Sequence, residues 1–154
     1  MAEENFTVRI LQIGDYDEVF RLWTGSAGMR IRALDDSPEG VKKFLERNPH
    51  TCFVAEAPAS GGSERKIAGV ILSGYDGRRA HIYHTAVNEV FRGRGVGRAL
   101  VAAVEKAARE KGISKIVLVA LKDNEKGNRF WEKMGYTERK DLIYRDKSFN
   151  QENE

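Results

Sequence analysis

The chain has 154 residues, is 41% hydrophobic and 32% charged, and carries a net charge of +3. That is the size of one ordinary domain with enough apolar content for a core; it argues against intrinsic disorder, and the charge is too mild to argue by itself for a nucleic-acid partner. The lone cysteine, Cys52, excludes a disulfide framework, the histidines at 50, 81 and 84 lack metal-site spacing, and no apolar run approaches the ~20 residues of a membrane span.

Phe6 to Ile13 partly alternates and predicts a strand. Gly14-Asp15 offers a turn and an N-cap for a short helix over Tyr16 to Trp23. Residues 25–36 read as irregular. Ser37-Pro38 starts a second helix that runs to Arg47, with proline in its first turn. Thr51 to Ala57 is rich in strand formers, Pro58 to Arg65 reads as a surface hairpin connection, and Ile67 to Ser73 is the next strand. Asp76-Gly77 signals a turn, followed by a strand over Ala80 to Val87. Gly95 to Lys111 is the strongest helix, with Leu100, Val101, Val104, Ala107 and Ala108 on one face and Gly112 as its stop. Ile116 to Leu121 is a continuous apolar run, which predicts a strand covered on both faces. Glu125 to Met134 reads as a helix, Tyr136 to Tyr144 as a final strand, and Gln151 to Glu154 as a frayed end.

The expected order is β-α-α-β-β-β-α-β-α-β, a single domain over residues 1–154 with its core over about 6–145 and a flexible tail over 146–154. Three neighbouring strands form an antiparallel meander, and the unit from Ala80 to Leu121 adds a parallel strand by a right-handed crossover. The expected class is α/β with an α+β-like mixed sheet and helices on both faces. The start, Met1-Ala2-Glu3-Glu4, does not read as a secretory signal, so the expected setting is cytoplasmic, away from membranes.

Basic charge is local. Five arginines (Arg78, Arg79, Arg92, Arg94, Arg98) stand against the single acid Glu89 between residues 78 and 98. Within that stretch Arg92-Gly93-Arg94-Gly95-Val96-Gly97-Arg98 opens the main helix. Glycines let backbone N–H groups approach a ligand, and the helix start adds unpaired N–H groups and a partial positive charge. Together they predict an anion site suited to phosphate. A dinucleotide fingerprint fails, because the required sixth-position glycine is Arg98 or Leu100, and there is no Gly-Lys-Ser/Thr for a P-loop.

The pattern that fits is R-x-x-G-x-G, here Arg92, Gly95 and Gly97. It follows a strand ending Thr85-Ala86-Val87 and precedes Asn124, Phe130-Trp131 and Gly135-Tyr136 at matching spacing. In these features, over about residues 6–145, the chain resembles the GNAT N-acetyltransferase superfamily. The resemblance implies a GNAT-type fold with splayed central strands and acetyl-CoA as co-substrate. It implies that Thr85, Ala86 and Val87 contact the pantetheine arm through their backbone, and that Arg92, Gly93, Arg94, Gly95, Val96, Gly97 and Arg98 hold the pyrophosphate. Asn124 matches a family asparagine that contacts the cofactor, and equally suits an ordinary helix N-cap. Trp131 occupies the cofactor-side position where many members carry a tyrosine general acid. An indole cannot give up its proton near neutral pH, so Tyr83 and Tyr144 are the candidate substitutes. Val119 stands where ribosomal-protein acetyltransferases carry a glutamate base, which argues against their substrate.

The implied reaction is direct acetyl transfer to the primary amine of a small molecule or peptide, with no nucleic acid, membrane or metal involved. Deprotonating an amine of pKa about 10.4 at pH 7 costs roughly 4–5 kcal/mol, so a base is needed. His81 matches the position where some members place a glutamate or histidine base. Tyr83, two residues on, shares its face, and His84 is expected on the opposite face, packed under the first two helices. The backbone N–H of Val87 is the expected oxyanion donor. The acceptor site is expected along residues 25–36, where Arg30 and Arg32 suit a carboxylate and Asp35 and Asp36 suit a cationic amine. A homodimer is carried by family analogy. The competing expectation is a non-catalytic acyl-CoA binder or sensor of the same fold.

Overall fold

The structure is a computed structural model that describes residues 5–59 and 62–154. Five strands form one sheet in the order β1 (Thr7–Ile10), β2 (Phe53–Pro58), β3 (Arg65–Tyr75), β4 (Ala80–Val87) and β5 (Ile116–Leu118). The first three pairings are antiparallel, and β4 runs parallel to β5. The helices are α1 (Tyr16–Thr24), α2 (Pro38–Arg47), α3 (Val96–Glu110) and α4 (Glu125–Lys133). The expected mixed α/β architecture is therefore present through α4.

Periodicity decides where the helices sit. Val96, Leu100, Val101 and Val104 of α3 pack on one face of the sheet against Ala55, Ile71 and Ile82. Val19 and Trp23 of α1 and Val41 of α2 pack on the other, against Val54, Val70 and Leu72. Cys52 is buried in that second layer, where its Sγ–H points to the Ser73 carbonyl at 3.4 Å and burial raises its thiol pKa to about 11. The caps follow the sequence. Ser37 Oγ accepts from the Gly40 N–H at 3.0 Å, with Pro38 in the first turn of α2. Gly112, at φ +73°, ends α3. On Gly69 a Cβ would stand 2.8 Å from Val96 Cγ1, so this glycine lets α3 approach the sheet.

Several expectations are corrected. β1 is shorter than Phe6–Ile13, because the chain turns into a 3-10 turn at Ile13–Asp15 where Asp15 pairs with Arg9 at 2.8 Å. The connection expected over Pro58 to Arg65 is shorter, since Pro58 and Arg65 pair as strand residues; its residues 60 and 61 lie outside the described ones. The run Ile116 to Leu121 is a strand only to Leu118 and is not covered on both faces: Val119 is 59% exposed. Beyond Leu118 the strand has left β4 and has no backbone partner to hold it extended.

Tyr136 to Tyr144 is not a strand. The charged residues Glu138 to Asp141 separate Leu142-Ile143-Tyr144 from α4, Arg139 pairs with Asp141 at 2.9 Å, and β5 offers a ladder of only three residues. The segment leaves Leu142 61% and Phe149 92% exposed. The chain end is not frayed either. Residues Gln151–Asn153 form a 3-10 turn, and Asn153 Oδ1 accepts from the N–H groups of Leu34 (2.9 Å) and Asp35 (2.8 Å).

Candidate active site

β4 and β5 pair only at Ala80–Ile116, His81–Val117 and Ile82–Leu118. After that they part. Thr85, Ala86 and Val87 form one wall of the opening, and Val119, Ala120 and Leu121 form the other. The wedge belongs to a cleft of about 1850 Å³ that also takes in the glycine-rich turn, the 26–36 loop and one side of α2. Backbone groups in the wedge have lost their cross-strand partners, so an extended ligand can take them up as an added strand would.

The glycine-rich turn closes one end. Gly93 (φ +78°) and Gly95 (φ +83°) are left-handed, a conformation that favours glycine, and a Cβ on either would meet no atom within 4 Å. Gly95 is the N-cap of α3. Arg92, Gly93, Gly95, Val96, Gly97 and Arg98 line the cleft; Arg94 does not, lying instead over the Phe91 ring at 5.5 Å. None of the three arginines has a carboxylate partner among the described residues. Phe130 of α4 sits where a Cβ on Gly97 would be 3.1 Å away, so this glycine sets the spacing between α3 and α4. Open left-handed glycines, free helix N–H groups and unpaired arginines together fit a diphosphate.

Asn124 serves as the N-cap of α4, its Oδ1 accepting from the Gly127 N–H at 3.1 Å, and it also lines the cleft. Trp131 packs edge-on between Phe130 (5.0 Å) and Tyr136 (5.3 Å). Its role here is to wall the cleft.

The other end depends on a bulge in β4. Gly69, Val70 and Ile71 pair with Val87, Ala86 and Thr85, but Ser73 pairs with Ile82, so Leu72 alone faces both Tyr83 and His84. One extra residue shifts the face of everything beyond it. His84 was expected opposite His81 and Tyr83 and packed under the first two helices. It does pack there, against Trp23 of α1 at 5.0 Å, but the bulge puts Tyr83 on the same side, edge-on to Phe44 of α2 at 5.5 Å. His81 and Tyr83 stack at 4.3 Å on this same wall. Burial pushes the His81 imidazole below its ordinary pKa and the Tyr83 phenol above its own. The His81 ring nitrogens have no hydrogen-bond partner among the described residues. His84 Nε2 lies 2.9 Å from Asp36 Oδ2, which also accepts from the Arg32 N–H.

Of the expected acceptor residues, Arg30, Arg32 and Asp35 all line this end of the cleft. Asp35 is tied to Asn153, whose Nδ2 donates to its carboxylate at 2.9 Å. Tyr144 and Asp146 line it from the C-terminal segment. Sequence reading missed the His84–Asp36 pair, since 48 residues separate the partners. It also missed Lys43 and Arg47, whose i,i+4 spacing on α2 was the available signal.

A five-stranded mixed sheet whose parallel pair, β4 and the edge strand β5, opens onto a glycine-and-arginine helix start is the architecture of an acyl-group transferase. The family model described as the acetyltransferase (GNAT) family matches residues 16–136, and the chain belongs to that family. An acetyltransferase of Photorhabdus laumondii is 33% identical over 135 residues, covering 86% of this chain and 87% of that one. One from Yersinia enterocolitica is 30% identical over 129 residues, covering 84% and 86%. Among solved structures, Ard1 from Thermoplasma volcanium is 25% identical with a TM-score of 0.72, covering 85% of this chain and 82% of its own. No helix among the described residues is long and apolar enough to cross a membrane.

Proposed function

We propose that the protein is an acetyl-CoA-dependent N-acetyltransferase that transfers acetyl directly to the amine of a small molecule or peptide. The observation that carries this is the β4–β5 wedge running into the left-handed glycines at the start of α3. Acetyl-CoA, when bound, supplies the activated acyl thioester. Arg92, Arg98 and the N–H groups from Gly93 to Gly97 hold the diphosphate. Thr85, Ala86 and Val87 offer backbone groups to the pantetheine arm, with the Val87 N–H the donor for charge developing on the carbonyl oxygen. His81 takes the amine proton, directly or through water, and Tyr83 stacks on its ring and fixes it.

The first test is the thermal midpoint with and without acetyl-CoA, with NADH as a diphosphate control. Saturation about 100-fold above Kd adds ~2.7 kcal/mol, a rise of several degrees for a chain this size. A rise with acetyl-CoA alone is the expected result; none at millimolar acetyl-CoA sinks the assignment.

His81→Gln is expected to lower kcat/KM roughly tenfold or more and to leave the acetyl-CoA midpoint shift unchanged. The pH profile carries a sign. Burial lowers the His81 pKa, so the neutral, proton-accepting form persists below pH 6.5, and kcat/KM falls only as pH drops through that lowered value. The variant should lose this acid limb. Wild-type turnover in His81→Gln would remove His81 from the mechanism.

Trp131 at the usual tyrosine position favours one alternative, a non-catalytic acyl-CoA sensor. Acetylation of any amine above the uncatalysed rate excludes it.

A further inference from the structure

Five cations line the acceptor end of the cleft: Arg30 and Arg32 from the loop, Lys43 and Arg47 from α2, and Arg79 from the β3–β4 hairpin. The carboxylates around them are mostly committed within the fold. Asp36 faces His84 and the Arg32 N–H, Asp76 accepts the N–H groups of Arg78 and Arg79 at 2.7 Å each, and Asp35 accepts from Asn153. Asp146 is the remaining acid on this wall. None of the five cations has a carboxylate within 4.0 Å among the described residues. α2 shows the contrast within one helix. Away from the cleft, Lys42 and Glu46 form an opposite-charge i,i+4 pair at 3.9 Å. On the cleft side the same spacing joins Lys43 to Arg47, a like-charge pair that destabilises the helix.

We propose that the acceptor is an amine that also carries an oxyanion, a carboxylate or a phosphate, and that Lys43, Arg47 and Arg79 hold that group. This deepens the acetyltransferase reading and rests on it. Guanidinium groups match both oxyanions in a bidentate fork. The same positive field favours the neutral form of the amine, which eases the proton transfer assigned to His81. An acceptor bearing several ammonium groups is repelled.

Matched amines test this: L-methionine against L-methioninamide, glucosamine 6-phosphate against glucosamine, and spermidine as the polycation. The expected result is a kcat/KM about tenfold or more higher for the anionic member of at least one pair. The pair that shows it identifies carboxylate or phosphate. Arg47→Gln and Arg79→Gln should each shrink that ratio about threefold or more while keeping the acetyl-CoA midpoint shift. Equal or lower rates for both anionic members, or a preference for spermidine, overturn the proposal. If no probe is acetylated, the midpoint is read with CoA plus each probe at millimolar concentration, and the absence of any further rise for the anionic members overturns it equally. In either case a retained acetyl-CoA shift leaves the cofactor reading standing, whereas loss of that shift removes the reading beneath it.

Discussion

Gly95→Val is expected to abolish acetyl-CoA binding with only a modest loss of stability. Gly95 sits at φ +83° with open space where a Cβ would go. A β-branched residue there clashes with no neighbour but is forced out of the left-handed region, at a cost of roughly 1–2 kcal/mol. The backbone then re-aims the first N–H groups of α3. Each hydrogen bond to a charged phosphate is worth about 1.5–3 kcal/mol, so losing two lowers affinity by roughly two to four powers of ten. Gly112→Val is the matched control, since Gly112 is also left-handed (φ +73°) and open, at the other end of the same helix. Both variants should unfold a few degrees early; only Gly95→Val should lose the acetyl-CoA midpoint shift. Equal acetyl-CoA response in the two variants would show that the helix start is not the diphosphate cradle.

Trp23→Ala is expected to give the largest loss of stability. Trp23 is 0% exposed and packs among Val19, Val41, Val70 and Leu72 between α1 and the sheet. Truncating a buried aromatic costs about 3–5 kcal/mol, a large part of a typical 5–15 kcal/mol total, and should lower the midpoint on the order of 10 °C. It also removes the ring that backs His84, so the His84–Asp36 pair and the loop above it loosen. Acceptor turnover should therefore suffer more than acetyl-CoA binding when both are assayed well below the new midpoint. Leu142→Ala, on an exposed side chain, should change stability by less than about 0.5 kcal/mol. Comparable losses in the two variants, measured by chemical denaturation, would contradict the packing described for α1.

The sequence carried the parts of this molecule that are local. Ser37-Pro38 marks the start of α2, the apolar face of α3 is periodic, and Asp76-Gly77 turns β3 into β4. The glycine-arginine turn was legible because its chemistry is contiguous. What stayed hidden depends on pairing between distant segments. The β4 bulge is set by one residue of register against β3, and nothing in His81-Ile82-Tyr83-His84 announces it. Alternation alone therefore set His81 and Tyr83 on the side away from His84, although His84 does pack under the first helices as expected. The Leu-Ile-Tyr run at 142–144 has strand composition, yet a strand needs an edge, and β5 ends at Leu118. Asn153 looked like part of a loose end because its partners, Leu34 and Asp35, lie at the far end of the sequence.

Cys52 has a practical consequence for studying such an enzyme. Acetyl transfer from a thioester liberates a thiol, and a colorimetric thiol reagent normally reports protein cysteines along with it. Here the single protein thiol is 1% exposed and its pKa stands at about 11, so almost none of it is thiolate at neutral pH. The folded chain is silent to the reagent, and colour counts turnovers. In denaturant the same residue becomes reactive, one signal per molecule, so one reagent measures catalysis in buffer and global unfolding in urea.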